Sequence, residues 1–104
     1  MDFVKCFTGG NLIPQRERVL FLARLATLFV PVTGLFTAFT AVDGYPVLNV
    51  MPLEIPGRAA TVGCGYREGQ WWFCYARTGE QIRPVNELGA AAHQIRADVE
   101  RAAP

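Results

Sequence analysis

The chain has 104 residues, 51% of them hydrophobic, and a formal net charge of +1. This balance is typical of one globular domain, and it argues against disorder and against steering toward nucleic acid. The three cysteines, Cys6, Cys64 and Cys74, form no C-x-x-C pair, so their spacing favours neither a zinc site nor a disulfide framework. We therefore expect reduced, structural thiols in a cytoplasmic protein.

A first helix is predicted to begin near Pro14 and to end by Pro31, with residues 1–13 as an arm and 14–104 as a single domain. One apolar stripe is expected to face a sheet: Val19, Leu22, Ala26, Phe29 and Val30. A second apolar stripe lies beside it: Phe21, Leu25 and Leu28. A monomer does not need two such stripes, so the second is predicted to bind a partner.

The run from 19 to 42 has one charge, Arg24, and is long enough to be a membrane anchor or an export signal. However, Pro31 and Gly34 interrupt it, and "LFTAFTAV" alternates as a strand does. A helix, a turn and a strand are therefore the favoured interpretation. A membrane-associated or exported protein that uses residues 19–42 as anchor or signal is the alternative.

Two β-hairpins follow in the pattern, at about 36–42 with 45–51 and about 60–67 with 70–77. Their predicted turns are the pairs Asp43-Gly44 and Glu68-Gly69. "RTGEQIRP" is interpreted as a connection before a last helix with one apolar stripe. The predicted fold is α+β, with a four-stranded antiparallel meander and both helices on one face. Its expected core comprises Leu22, Ala26, Phe29, Phe39, Leu48, Val50, Val62, Cys64, Trp71, Phe73, Leu88, Ala92 and Ile95.

Neighbouring strand residues point to opposite faces, so Trp71 and Trp72 cannot enter the same core. A two-residue turn pairs Tyr66 with Trp71, Cys64 with Phe73 and Gly65 with Trp72. This register predicts that Trp71 lies inside and Trp72 on the back of the sheet, over two glycines. It also separates Cys64 from Cys74. The surface around Trp72, with Arg67 and Met51, is the second predicted partner-binding surface; the helix stripe is preferred.

Catalytic chemistry is poorly represented. His93 is the only histidine and is predicted to face solvent, no serine occurs, and no phosphate loop or metal cluster is visible. The arginines near Trp72 are balanced by acids, so they do not indicate nucleic-acid binding. We therefore expect no cofactor and a non-enzymatic function. A small enzyme of unidentified type is the second alternative.

The segments "AVDGYPVLNV" and "GQWWFCYARTGEQIRPVNELGAAAHQIRADV" carry a hairpin, a tryptophan-rich strand and a final helix. This pattern, over about residues 19–100, resembles a group of small uncharacterised actinobacterial proteins. The resemblance implies a cytoplasmic α+β domain and brings no activity with it. The helix–sheet–helix order is similar to that of class I secretion chaperones, which are dimers that bind proteins. We expect a protein–protein interaction or assembly module, as a homodimer or as a subunit of a larger complex.

Overall fold

The computed structural model describes residues 15–32, 34–54 and 59–101. The predicted arm at 1–13 and Cys6 lie outside these residues. The elements in chain order are α1 (Gln15–Thr27), β1 (Leu35–Val42), β2 (Tyr45–Pro52), β3 (Ala60–Arg67), β4 (Gln70–Tyr75), β5 (Gln81–Pro84) and α2 (Leu88–Arg101).

The sheet has five strands in the order β1-β2-β3-β4-β5, and each neighbouring pair is antiparallel. The α+β class is confirmed, but the predicted number of four strands is wrong. The additional strand, β5, lies in the segment interpreted as a connection. Its four residues are too few to show alternation, Pro84 argues against a strand, and its pairing with β4 has a register shift between Phe73 and Cys74.

Both predicted hairpin turns are confirmed by the backbone. Asp43 and Gly44 have φ of 52° and 82°, and Glu68 and Gly69 have φ of 55° and 83°. Two successive positive φ values define the type I′ turn, whose twist matches that of the flanking strands. The predicted register of the second hairpin is also confirmed, with Tyr66 opposite Trp71 and Gly65 opposite Trp72. In the first hairpin Phe39 lies opposite Leu48.

The main core lies on one face of the sheet, here called the front. Both helices contribute to it, α1 from Leu22 and Leu25 and α2 from Ala91, Ile95 and Val99, and Phe29 adds to it from the turn after α1. Trp71 packs against this core while Trp72 does not, as predicted. The remaining buried residues of the core are Leu35, Leu48, Val50, Val62, Cys64, Phe73 and Ile82.

The buried face of α1 is rotated from the predicted one. Arg18, Leu22, Leu25 and Phe29 are buried at the spacing i, i+4, i+7 and i+11, which is one helical face. Val19 and Val30, predicted to face the sheet, are exposed. The apolar pattern alone was misleading because a charged residue, Arg18, occupies the buried face at the start of α1.

Phe39 was also placed wrongly in the core, since half of its surface is exposed (50%). It projects from the front face, opposite buried Leu48, but it belongs to the edge strand. The helices pack mainly on the inner strands and on β5: α1 contacts β2 and β3, and α2 contacts β5 and β2. The front of β1 near Phe39 is therefore left open.

Candidate interaction surfaces

The predicted helix stripe does not form a contact surface. Leu25 is completely buried (0%) in the core, and Phe21 is partly buried with its ring centroid 5.4 Å from that of Trp71. Of the three stripe residues only Leu28 is exposed, at 38%. The assignment of Leu25 to a partner is therefore wrong: it is a core residue, because the helix turns this side toward the sheet.

The second predicted surface lies on the back of the sheet, where Trp72, Arg67 and Met51 are all partly buried. Trp72 pairs with Gly65, as the register required. Its indole Nε1 is buried and has no hydrogen-bond partner. A buried indole N–H without a partner is uncommon because Trp usually keeps this donor satisfied. The residue is thus more enclosed than the sequence suggested.

A small apolar cluster, here called the back cluster, accompanies Trp72 and consists of Val47, Cys74 and Ala76. These residues are 0%, 2% and 0% exposed, and Val42 and Tyr45 pack beside them. Gly63 lies opposite Cys74 in the neighbouring strand, with its carbonyl oxygen 3.7 Å from the Cys74 sulfur. The sequence predicted a partner-binding surface around Trp72, and it did not predict a buried cluster on this face of the sheet.

The two described cysteines differ in chemistry. Cys64 is a free, buried thiol on the front, whereas Cys74 is disulfide-bonded. The prediction that the two do not bridge each other is confirmed. The prediction that the thiols are reduced is wrong for Cys74. Burial raises the pKa of Cys64 well above its usual range, although the nearby Arg18 opposes this. A thiol in this state is a poor nucleophile.

Arg18 is the most unusual residue of the front core because its side chain is completely buried (0%). Its Nε donates a hydrogen bond to the Cys64 carbonyl oxygen at 3.1 Å. The guanidinium carbon lies 4.9 Å from the ring centroid of Tyr45 and 5.2 Å from that of Trp71. Burial lowers the pKa of Arg18, and Tyr45 and Cys64 act in the opposite direction. The cation–π contacts join α1 to two strands.

β1 presents an open edge to solvent. It contains no charged residue, and seven of its eight residues, 36–42, are exposed or only partly buried, with Phe36 38% and Phe39 50% exposed. Among the described strands, none pairs with its outer side. The two phenylalanines lie on opposite faces of the sheet. Exposed apolar residues at an unpaired strand edge are a recognised signal for association with another chain.

A shallow pocket of about 220 Å³ lies beside Thr61, Tyr75, Arg77 and Glu80. It is smaller than the roughly 300–1,000 Å³ of typical small-molecule sites. The Tyr75 hydroxyl donates a hydrogen bond to a carboxylate oxygen of Asp98. Burial and this bond raise the pKa of Tyr75 above its usual range. A tyrosine that retains its proton in this way is not an activated base.

His93 is exposed on α2, and the described residues contain no group of three or more His, Cys, Asp or Glu side chains arranged to hold a metal. None of the described helices has the length and apolar character needed to cross a membrane. Comparison with known proteins found no matching family model, curated protein or solved structure. The interpretation of function therefore depends on the surfaces described above.

Proposed function

We propose that this chain is a non-enzymatic interaction module, and that it forms a homodimer by pairing β1 with β1 of a second copy. The observation that carries the proposal is an uncharged eight-residue edge strand with two exposed phenylalanines, Phe36 and Phe39. Edge strands are commonly blunted by charge, proline or a bulge, because an open edge pairs readily with other chains. β1 has no charge or proline, and its register with β2 is continuous.

The backbone of β1 offers alternate residues to a new strand. Val42 and Tyr45 close the two-residue hairpin as a hydrogen-bonded pair. At the other end, the Leu53 N–H donates to the Gly34 carbonyl oxygen at 2.8 Å. Even-numbered residues of β1 therefore bond to β2, and the intervening ones point their N–H and C=O groups outward. Thr37, Phe39 and Ala41 supply the central outward groups.

A two-fold axis through Phe39, perpendicular to the sheet, pairs the side chains of β1 favourably. Phe39 then lies opposite the partner's Phe39 on the front, and Phe36 lies opposite the partner's Val42 on the back. Aromatic pairs and aromatic–β-branched pairs both stabilise antiparallel strands. The pairing joins two five-stranded sheets into one, and all helices of the dimer lie on the same face.

Self-complementarity favours a second copy over an unrelated partner. A two-fold interface uses the same patch twice, and the strand "LFTAFTAV" needs no opposite charge on the other side. The contact is one strand wide, so we expect a small interface and a correspondingly weak dimer. A strand from a different protein could add to the same edge, and the experiment below distinguishes this outcome.

The test is size-exclusion chromatography with light scattering over a concentration series. We expect wild type to approach the mass of two 11.5 kDa chains at high concentration, and Phe39→Lys to remain a monomer. Lysine at an edge opposes pairing, and the exposure of Phe39 lets the fold tolerate the change. Val30→Lys is the matched control because Val30 is also an exposed hydrophobic residue (81%) but belongs to the turn after α1 and not to β1.

Two results contradict the homodimer. One is a wild-type protein that stays monomeric at its highest soluble concentration, which leaves the edge to a different protein. The other is equal dissociation of the Phe39→Lys and Val30→Lys proteins, which places the interface elsewhere.

The non-enzymatic part of the proposal is supported by the state of the reactive groups. The Cys64 thiol is buried with a raised pKa, the Tyr75 hydroxyl is held by Asp98, and His93 is exposed on a different element. Nucleophilic catalysis needs an activated nucleophile within hydrogen-bonding distance of a base. No hydrogen bond joins His93 to either of the other two groups in the part of the chain that the structure describes.

A second candidate is an exported protein, and the disulfide at Cys74 favours it. Disulfides persist in oxidising compartments and are rare in the cytosol, whereas the predicted cytoplasmic location requires a reduced Cys74. This candidate does not use residues 19–42 as a cleaved signal, because they provide Leu22, Leu25 and β1 to the fold. Acid quenching of producing cells, followed by alkylation and fractionation, tests it: a reduced Cys74 confined to the cytosol excludes export.

A further inference from the structure

The front of β1 forms an open strip beside α1. Phe39 lies opposite Leu48 of the front core, so the alternate residues Thr37, Phe39 and Ala41 share the front face. Phe39 is 50% exposed, and Ala41 is exposed as well. The helices leave this strip open because α1 packs on β2 and β3, and α2 packs on β5 and β2.

The side of α1 that faces β1 is apolar as well. Phe21 lies on the other side of the helix, because its ring contacts Trp71 of β4. At about 100° per residue, three apolar residues lie about 140–160° around the helix from Phe21. These residues, here called the wall stripe, are Val19, Ala23 and Ala26. Val19 is 44% exposed, so the wall stripe borders the open strip of β1 and is accessible from it.

Pairing of β1 with β1 of a second copy places two wall stripes on the same face. A two-fold axis perpendicular to the sheet makes the two α1 helices antiparallel, so the space between them has a uniform width. Each α1 lies over β2 and β3, so four strand spacings, or about 19 Å, separate the two helix axes. Packed helices lie about 8–10 Å apart. The two α1 helices therefore do not touch, and one further helix fits between them.

We propose that the homodimer binds one amphipathic helix of a partner protein in this groove. The two wall stripes are the sides of the groove, and Phe39 of both copies is its floor. The proposal rests on the proposed β1 pairing and adds the class of partner that the dimer binds. β1 and the wall stripe contain no charged residue, so the side of the helix that enters is apolar. The eight residues of β1 extend about 27 Å, which is the length of a helix of about 18 residues.

The small size of the β1 contact supports a helix that bridges the two copies. A contact one strand wide is small compared with the roughly 1,200–2,000 Å² of stable interfaces. A helix in the groove contacts both chains and covers Val19 and Phe39, which are otherwise partly exposed. Helix binding and dimerisation are therefore coupled, and each strengthens the other by the same factor. Because the groove lies on the two-fold axis, it holds one helix for every two chains.

Fluorescence anisotropy with a synthetic peptide tests the groove. The probe is a fluorescein-labelled helix of about 18 residues, with leucines on one face at the spacing i, i+3, i+4 and i+7 and with glutamine, glutamate and lysine elsewhere. The control peptide has the same composition, with its leucines distributed around the helix. We expect the probe to bind at least about tenfold more tightly than the control, because only the probe buries a continuous apolar face. Light scattering should show one probe for every two chains.

Val19 and Leu20 provide a matched pair of variants, because both are 44% exposed. Val19 belongs to the wall stripe, whereas Leu20 lies about 160° around the helix from buried Leu22 and points away from the sheet. We expect Val19→Glu to weaken probe binding about tenfold, because the bound helix removes water from the new carboxylate. Leu20→Glu should leave binding within about twofold of wild type. Both variants should still dimerise at high concentration, since neither residue belongs to β1.

The possible results separate the groove from the dimer. A wild-type dimer that binds both peptides equally, or equal loss of binding in the two glutamate variants, overturns the groove and leaves the β1 dimer intact. A probe that binds one chain and dissociates the dimer also overturns the groove, because the probe then pairs with the β1 edge as a strand. A wild type that is monomeric with and without the probe overturns both the homodimer and the groove.

Discussion

The two edges of this sheet differ in the properties that govern pairing with another chain. β1 has eight residues without charge or proline, and Phe36 and Phe39 are exposed. β5 has four residues, includes Arg83 and Pro84, and packs against α2. A short strand, a charge, a proline and a covering helix are four of the ways in which proteins protect an edge. Among the described elements, β5 has all four of these protections and β1 has none of them.

This difference shows that the open edge is a property of one strand and not of the whole sheet. The same chain has β-formers of similar quality in β5, where Ile82 is buried at 6%. At β5, however, the apolar side chain is used for the core, whereas at β1 two aromatic side chains face solvent.

The largest expected effect is on the protected edge. Ile82→Ala removes the apolar side chain that anchors β5 in the core, and we expect the free energy of unfolding to fall by about 2–4 kcal/mol. Urea unfolding followed by circular dichroism measures it. Val30→Ala is the control, because Val30 is 81% exposed. A loss near zero for Ile82→Ala would mean that β5 is not held by its core contact.

A smaller effect is expected where β4 meets β5 and α2. The Tyr75 hydroxyl donates a hydrogen bond to the Asp98 carboxylate of α2. Its backbone N–H donates a second hydrogen bond to the Glu80 carbonyl oxygen at 2.9 Å. Tyr75→Phe removes only the hydroxyl, so we expect a loss of about 1.5–3 kcal/mol at pH 7, the range of a hydrogen bond to a charged group.

The same variant tests a pH dependence. The folded state holds the Tyr75 proton more tightly than the unfolded state, because its pKa is raised by burial and by Asp98. An unfolded tyrosine loses its proton near pH 10. The stabilising effect of the hydroxyl is therefore complete below about pH 10 and decreases as the pH rises further. Cys64 also titrates at high pH but is present in both proteins, so the difference between them isolates Tyr75. Parallel pH profiles for wild type and Tyr75→Phe would contradict this assignment.

The sequence predicted the hairpins better than the edges, for physical reasons. Asp43-Gly44 and Glu68-Gly69 are local signals that determine the turn and thereby the register, so Trp71 and Trp72 were assigned to the correct faces. Edge position is not local. The exposure of Phe39 depends on which strands the helices cover, and the additional strand β5 depends on pairing with β4.

The residues of α1 show a second limit. Arg18 resembles a polar surface residue in the sequence, but three contacts that are distant along the chain, with Tyr45, Cys64 and Trp71, make its burial tolerable. Once Arg18 occupies the buried face, the helix turns Leu25 inward and Val19 outward. Periodicity could not reveal this, because the cation–π partners come from the sheet. The disulfide state of Cys74 was missed because the spacing of cysteines along the chain does not show which sulfur atoms meet in the fold.

A still smaller change tests whether the hairpin turn maintains the open edge. Gly44→Ala places a side chain at φ 82°, and its Cβ meets no atom within 4 Å, so the cost is confined to the backbone. We expect a loss of about 1 kcal/mol. Gly69→Ala is a matched control with φ of 83° and equal free space. Both should lower stability equally, but only Gly44→Ala, which loosens β1, should weaken self-association in light scattering. If both variants weaken self-association equally, association does not depend on the conformation of β1.

The smallest effect is expected from a substitution that makes the β5 edge more similar to the β1 edge. Arg83→Thr removes the charge of β5 together with its 3.4 Å ion pair to Glu87, in which both side chains are about half exposed. Exposed pairs of this kind contribute about 0–1 kcal/mol, so we expect a change of no more than about 0.5 kcal/mol. We also expect no new association, because the strand remains four residues long, Pro84 still lacks an N–H donor, and α2 still packs on β5. Phe39→Lys combined with Arg83→Thr measures this directly by light scattering, since the β1 edge is then blocked. A dimer of that double variant would show that charge alone had kept β5 from pairing, and that the two edges differ in one residue and not in their architecture.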